Sequence, residues 1–167
     1  MKKNKTVIFP IAGFGNRFKE NGYNQTKPLI HAGPKTIIEW AVDSIKLEDS
    51  YKLIFVVRKQ QCLQNSIDSF LKSKYPNCKI LILNKSTDGS LETIYLALKE
   101  LNIKTGELFI HTSDIVVPQK IDLEKAFINN EDAVTYTFKA NNDSYSYCNF
   151  KDNNSNKIIG MVEKEVV

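Results

Sequence analysis

The chain has 167 residues, 42% of them hydrophobic and 25% charged, which allows one domain with a sizeable core and is too short for two ordinary ones. Its formal charge of +4, from 23 basic and 19 acidic residues, is scattered among Asn and Ser, and Met1-Lys-Lys-Asn-Lys5 is only a short basic start. That balance suits a soluble globular protein handling small anions and argues against a nucleic-acid-binding arm. No stretch approaches the ~18 apolar residues of a membrane span, and the N-terminus lacks the apolar core of a signal peptide. Cys62, Cys78 and Cys148 are isolated and form no CxxC pair, so they read as reduced thiols and the cytoplasm as the expected location.

Apolar and amphipathic runs alternate along the chain. Thr6–Pro10 reads as a buried strand. Ile37–Lys46 reads as a helix with Ile37, Ile38, Ala41, Val42 and Ile45 on one stripe, and Thr36 with Glu39 predicts a capping box at its start. Lys52–Val57 is a second buried strand, and Lys59–Lys74 a helix carrying Leu63, Ile67, Phe70 and Leu71. Pro76 and Asn77 break the pattern before a third strand, Lys79–Leu83. A helix over Leu91–Leu101, a fourth strand over Glu107–His111 and a weaker helix over Asp122–Ile128 follow. The texture then changes: Ala133–Lys139 alternates as a half-exposed strand does, and Tyr145–Lys151 with Lys157–Glu163 predicts a hairpin through Asp152-Asn-Asn-Ser-Asn156. The pattern is α/β: a Rossmann-like, mainly parallel sheet flanked by helices, with antiparallel strands near the C-terminus, in a single domain over 1–167.

In such sheets ligands bind beyond the carboxyl ends of the strands, where Ala12–Arg17, Ser86–Ser90 and Ser113–Asp114 all fall. The glycines of Ala12-Gly13-Phe14-Gly15-Asn16-Arg17 are expected to take conformations closed to other residues and to bring bare N–H groups against an anion. Arg17 as a planar fork and Lys27 as a point charge would neutralise phosphate from two sides. A third glycine three positions on would complete a dinucleotide fingerprint, but Phe18 stands there, and no Gly-Lys-Ser/Thr of a Walker loop follows. Taken alone, the turn reads first as a tight strand-to-loop connection.

The strand, Ala12-Gly-Phe-Gly-Asn-Arg17, Lys27-Pro-Leu29 and Ile37-Ile-Glu-Trp40 together resemble the sugar-1-phosphate nucleotidyltransferases (nucleoside-diphospho-sugar pyrophosphorylases), especially those of capsular and surface polysaccharide pathways. The resemblance implies a fold of the nucleotide-diphospho-sugar transferase type. It also implies transfer of a nucleotidyl group from a nucleoside triphosphate, pyrimidine favoured, to a sugar phosphate or similar phosphomonoester. Position by position, Arg17 would grip the triphosphate and Lys27 would touch the α-phosphate or the incoming sugar phosphate. Thr87-Asp88-Gly89-Ser90 is similar to the base-reading loop, with Glu92 facing the base or ribose; helix capping by Asp88 or Ser90 is the alternative. Asp114 matches the carboxylate that holds Mg2+, a cation that needs only one or two carboxylates besides phosphate and water. His111 reads as a strand residue and His31 as part of a loop. Val162-Glu-Lys-Glu165 resembles the Glu-Lys pair that holds the sugar, which assigns Glu163 to hydroxyls and Lys164 to the phosphate, a catalytic role shared with Arg17 and Lys27.

Members of the resembled family continue for tens of residues past that pair, so the C-terminal part of the acceptor site is expected to be missing here. A non-catalytic nucleotide-binding module of the same fold is the alternative. A metal-dependent glycosyltransferase would want an Asp-x-Asp near the fourth strand, and His111-Thr-Ser-Asp-Ile115 has none.

Overall fold

A computed structural model describes residues 4–126, 132–152 and 155–163. In chain order its elements are β1 (Lys5–Pro10), α1 (Asn16–Glu20), β2 (His31–Ala32), β3 (Lys35–Thr36), α2 (Ile37–Asp43), β4 (Lys52–Arg58), α3 (Lys59–Asn65), α4 (Ile67–Lys74), β5 (Lys79–Leu83), α5 (Ser90–Glu100), β6 (Glu107–Ile110), β7 (Ser146–Phe150) and β8 (Ile158–Glu163). They fall into two compact units, Met1–Lys125 and Ala126–Val167.

In the first unit β1, β4, β5 and β6 form one sheet in the order β5-β4-β1-β6, with every pair parallel. Successive side chains of a strand point to opposite faces. Val7, Phe9, Phe55 and Val57 therefore pack on one side with Ile38, Ala41 and Val42 of α2 and Ile67 and Leu71 of α4. Ile8, Ile54 and Val56 pack on the other with Leu83 and with Ala97 of α5. Burial on both faces is why these strands read as unbroken apolar runs. The chain runs from β1 outward through β4 to β5, then returns to place β6 on the far side of β1. The strand order reverses between β1 and β6, and the crevice at their carboxyl ends is where such sheets bind ligands.

The predicted capping box is present: the Thr36 N–H donates to Glu39 Oε2 (2.9 Å) and the Glu39 N–H to Thr36 Oγ1 (3.4 Å). Two helices depart from expectation. The first stops at Asp43 rather than Lys46, because the Ser44 carbonyl accepts from the Ile121 N–H and the Lys46 N–H donates to the Ile121 carbonyl. The run 59–74 is two helices, α3 and α4, broken at Ser66 in the left-handed region (φ +50°). The break swings Leu63 outward, 77% exposed, while Ile67 and Leu71 stay fully buried and Gln61 turns inward. His31, expected in a loop, begins the two-residue strand β2 of a small hairpin with β3. The helix expected from Asp122 is a single 3-10 turn, Leu123–Lys125, since Ile121 is held by pairing with Ile45; residues 127 and 128 lie outside the described residues.

In the second unit β7 and β8 form the predicted antiparallel hairpin, with a register shift between Asn149 and Phe150. Residues 133–139 form no strand, although Val134, Tyr136 and Phe138 alternate: among the described residues no neighbouring strand offers them a ladder. Among the described residues no helix is long and apolar enough to cross a membrane.

Candidate functional site

The loop leaving β1 is held from beneath by two side chains of the β4–α3 junction. The Ile11 carbonyl accepts from Gln61 Nε2 (3.0 Å), the Ala12 carbonyl from Arg58 Nε (2.6 Å) and the Gly13 carbonyl from Arg58 Nη2 (3.3 Å). In a trans peptide the following N–H points opposite its carbonyl, and no cis bond occurs. The N–H groups of Ala12, Gly13 and Phe14 thus turn away from Arg58 and Gln61, and among the described residues none of them meets an acceptor. Gly15 sits in the left-handed region (φ +64°), and a Cβ there would stand 3.3 Å from the Cβ of Lys27. Gly13 differs from expectation: its φ lies outside that region, and an added Cβ would meet nothing within 4 Å, so only Gly15 needs to be glycine for conformation.

Above the β1–β6 switch lies a cleft of about 850 Å³ whose lining includes Arg17, Lys27, Ser113 and Asp114. Lys27 opens a 3-10 turn behind Thr26, whose hydroxyl accepts from Gln61 Nε2 (2.8 Å). Its ammonium donates to Asp114 Oδ2 at 2.6 Å, joining residues 87 positions apart. Burial pushes the Asp114 carboxyl up, but the hydrogen bond and charge of Lys27 outweigh it and hold the group below its ordinary value. The Arg17 side chain is exposed and, among the described residues, has no acidic partner. His111, expected to end the neighbouring strand, instead follows β6, which stops at Ile110, as a buried ring stacked 5.5 Å from Phe9, a core residue whose Nε2 has no partner among the described residues. Burial pushes its imidazole down from the ordinary value.

The cleft brings together Arg17, Lys27 and Asp114, with Ala12–Gly15 in the loop before α1 and Asn16 its first residue. Thr87–Ser90 lies at the same carboxyl edge but follows β5, separated from β1 by β4, and does not line the cleft. Neither Asp88 nor Ser90 caps α5; Gly89 holds the cap position, and Glu92 accepts from the Asp88 N–H at 2.6 Å. Thr87 Oγ1 lies 2.7 Å from Thr93 Oγ1, which fixes the loop to the helix. Glu163 is exposed at the end of β8 in the second unit, and Lys164 lies outside the described residues.

Two residues of the site escape sequence reasoning. Arg58 ends an apolar strand and Gln61 sits in an amphipathic helix, and both are buried (7% and 3% exposed) with partners 35 to 50 positions upstream. Their one sequence signal is a cation at the inner end of the run Leu53-Ile-Phe-Val-Val-Arg58.

No protein-family model and no curated protein matches the sequence. Solved structures do match. The nucleoside-diphosphate-sugar pyrophosphorylase from Vibrio cholerae RC9 gives a TM-score of 0.80 at 23% identity, over 95% of this chain and 67% of that one. A Bacillus anthracis protein, provisionally a glucose-1-phosphate thymidylyltransferase, solved with sucrose, gives 0.71 at 18% identity, over 96% and 64%. The UTP-bound UGPase from Acinetobacter baumannii gives 0.65 at 15%, over 98% and 68%. The chain spans about two thirds of the length of these structures, and what it shares with them is the fold, a Rossmann-like, mainly parallel sheet.

Proposed function

We propose that this chain is a nucleotidyltransferase domain that joins a nucleoside triphosphate to a sugar phosphate or similar phosphomonoester, in the synthesis of polysaccharide precursors. The observation that carries the reading is the 2.6 Å approach of Lys27 to Asp114 at the β1–β6 switch, beside the exposed, acid-free guanidinium of Arg17. In the proposed reaction an oxygen of the phosphomonoester bonds to the α-phosphorus, the bond from that phosphorus to the bridging oxygen breaks, and pyrophosphate leaves. The Arg17 fork and the outward N–H groups of Ala12, Gly13 and Phe14 would grip the polyphosphate, while Lys27 would balance charge at the α-phosphate.

Asp114 suits Mg2+ because it is an exposed carboxylate at the cleft already drawing a cation, and among the described residues no cluster of three or more His, Cys, Asp or Glu offers an all-protein cage. Bound there with phosphate oxygens and water, Mg2+ would supply neutralisation of the charge that develops on the departing pyrophosphate. Thr87–Ser90 and Glu92 are assigned to base or ribose, with a pyrimidine preferred, and Glu163 and Lys164 to the sugar phosphate. Pyrophosphate release with CTP, UTP, dTTP, ATP and GTP, each with Mg2+ and a panel of sugar 1-phosphates, tests the proposal. Release with a pyrimidine triphosphate supports it.

One observation favours a second reading. Every lining residue of the cleft comes from Met1–Lys125, whereas Glu163 belongs to the other unit. A nucleotide-binding module without turnover would bind a triphosphate and release no pyrophosphate. A chain that binds none of the five triphosphates would end both readings.

A further inference from the structure

A buried arginine without an acidic partner is unusual, because a desolvated guanidinium is costly unless something compensates it. Arg58 is 7% exposed, and among the described residues no carboxylate pairs with it. Its partners are neutral acceptors: the carbonyls of Ala12 and Gly13 and, at 3.4 Å, Gln60 Oε1. The ring of Phe14, its centroid 4.1 Å from the guanidinium carbon, lies against the charge. Burial pushes the guanidinium down from its ordinary value, and an arginine side chain stays charged in proteins all the same.

We propose that Arg58 is a positioning residue for the anion site of the loop at Ala12–Gly15, and that its buried charge supplies part of the field that draws the polyphosphate in. This rests on the triphosphate reading given above. The geometry has two consequences. By claiming two successive carbonyls with one planar fork, Arg58 fixes two peptide planes at once and aims the N–H groups of Gly13 and Phe14 away from itself. Gln61 extends the same arrangement in both directions: it accepts from the Arg58 N–H (2.7 Å) and donates to the Ile11 carbonyl and the Thr26 hydroxyl, next to Lys27. One junction thus orients both the N–H groups and the base of the lysine. The positive charge beneath the loop, matched by no acid among the described residues, has its complement in a polyphosphate above it.

The test uses the full chain and inorganic tripolyphosphate, which isolates the anion site from base and sugar. Calorimetric titrations compare the unsubstituted chain with Arg58→Gln and Arg58→Lys, beside far-UV circular dichroism and thermal melts. Arg58→Gln is expected to weaken tripolyphosphate binding roughly tenfold or more, the scale of losing a charged hydrogen-bonding group. Arg58→Lys keeps the charge but cannot hold both carbonyls, so it should recover only part of that loss, a graded rescue that simple loss of packing would not give. Arg58→Gln binding as tightly as the unsubstituted chain overturns the proposal. Should Arg58→Gln not melt cooperatively, Arg58→Lys decides: full affinity overturns the proposal and an intermediate one supports it. If the unsubstituted chain does not bind tripolyphosphate, this proposal is overturned, while the triphosphate reading is decided by the separate panel of five nucleoside triphosphates.

Discussion

Gly15 meets two constraints at once, a left-handed backbone and a neighbour, Lys27 Cβ, 3.3 Å from where its own Cβ would stand. Gly15→Ala should therefore cost about 1 kcal/mol from conformation alone, and more if Lys27 is pushed aside, read as a lower urea midpoint. Gly13→Ala meets no such obstacle and should fold with an unchanged midpoint. Arg17 is the opposite of Gly15. Exposed and without an acidic partner among the described residues, it should change stability by less than ~0.5 kcal/mol on going to Ala, yet weaken triphosphate binding at least roughly tenfold. A melt and a binding isotherm on one sample check both halves. Asp114 and Lys27 are partly exposed, so their ion pair adds at most ~1 kcal/mol to the fold, and its value lies in placing charge at the cleft. Sequence finds Arg17, Lys27 and Asp114 because each sits in a short motif. Arg58 and Gln61 stay hidden because their partners are mostly backbone carbonyls, which leave no trace in residue type.

Among the elements, α2 follows its sequence best at the end where the instructions are local. Thr36 and Glu39 cap it reciprocally, and Thr36→Ala should cost about 1 kcal/mol by urea unfolding. Burial alone pushes the Glu39 carboxyl up, but the Lys74 ammonium at 2.9 Å and the Thr36 N–H and hydroxyl outweigh it and lower the group to about 2. A carboxyl depressed in the folded state from its ordinary 4.5 contributes stability above pH 4.5 and loses it as pH falls toward 2. That loss should reach the order of 3 kcal/mol, and Glu39→Gln should flatten the stability profile across that window. The far end of α2 was not legible, because a partner 76 positions away in the chain, Ile121, takes Ile45 into a bridge. The break at Ser66 is equally invisible to periodicity: the stripe Leu63, Ile67, Leu71 is intact in sequence, yet burying Gln61 beneath the loop turns Leu63 to solvent. Residues 133–139 carry a strand's alternation without a ladder, since a strand is completed by its neighbour and not by its own pattern.

At the scale of the whole molecule, the parallel sheet is readable because burial on both faces writes apolar runs into β1 and β4, with helices between the strands. Strand order is not written locally, and the order β5-β4-β1-β6 is what turns three separated segments into one edge with a crevice at its switch point. The likeness in fold to the solved pyrophosphorylases extends over nearly the whole chain, while the chemistry proposed rests on the residues at that crevice. A ligand that binds only the folded chain raises its melting temperature, so a thermal-shift panel of the five triphosphates with Mg2+ should rank the bases, a pyrimidine first. The central claim, that Arg17, Lys27 and Asp114 converge on a single polyphosphate, is met most directly by calorimetric titration of the best triphosphate with Mg2+ into the chain, Arg17→Ala and Lys27→Met. One saturable site, weakened at least roughly tenfold in each variant while its melt stays cooperative, is the predicted result. Equal affinity in all three proteins would contradict it.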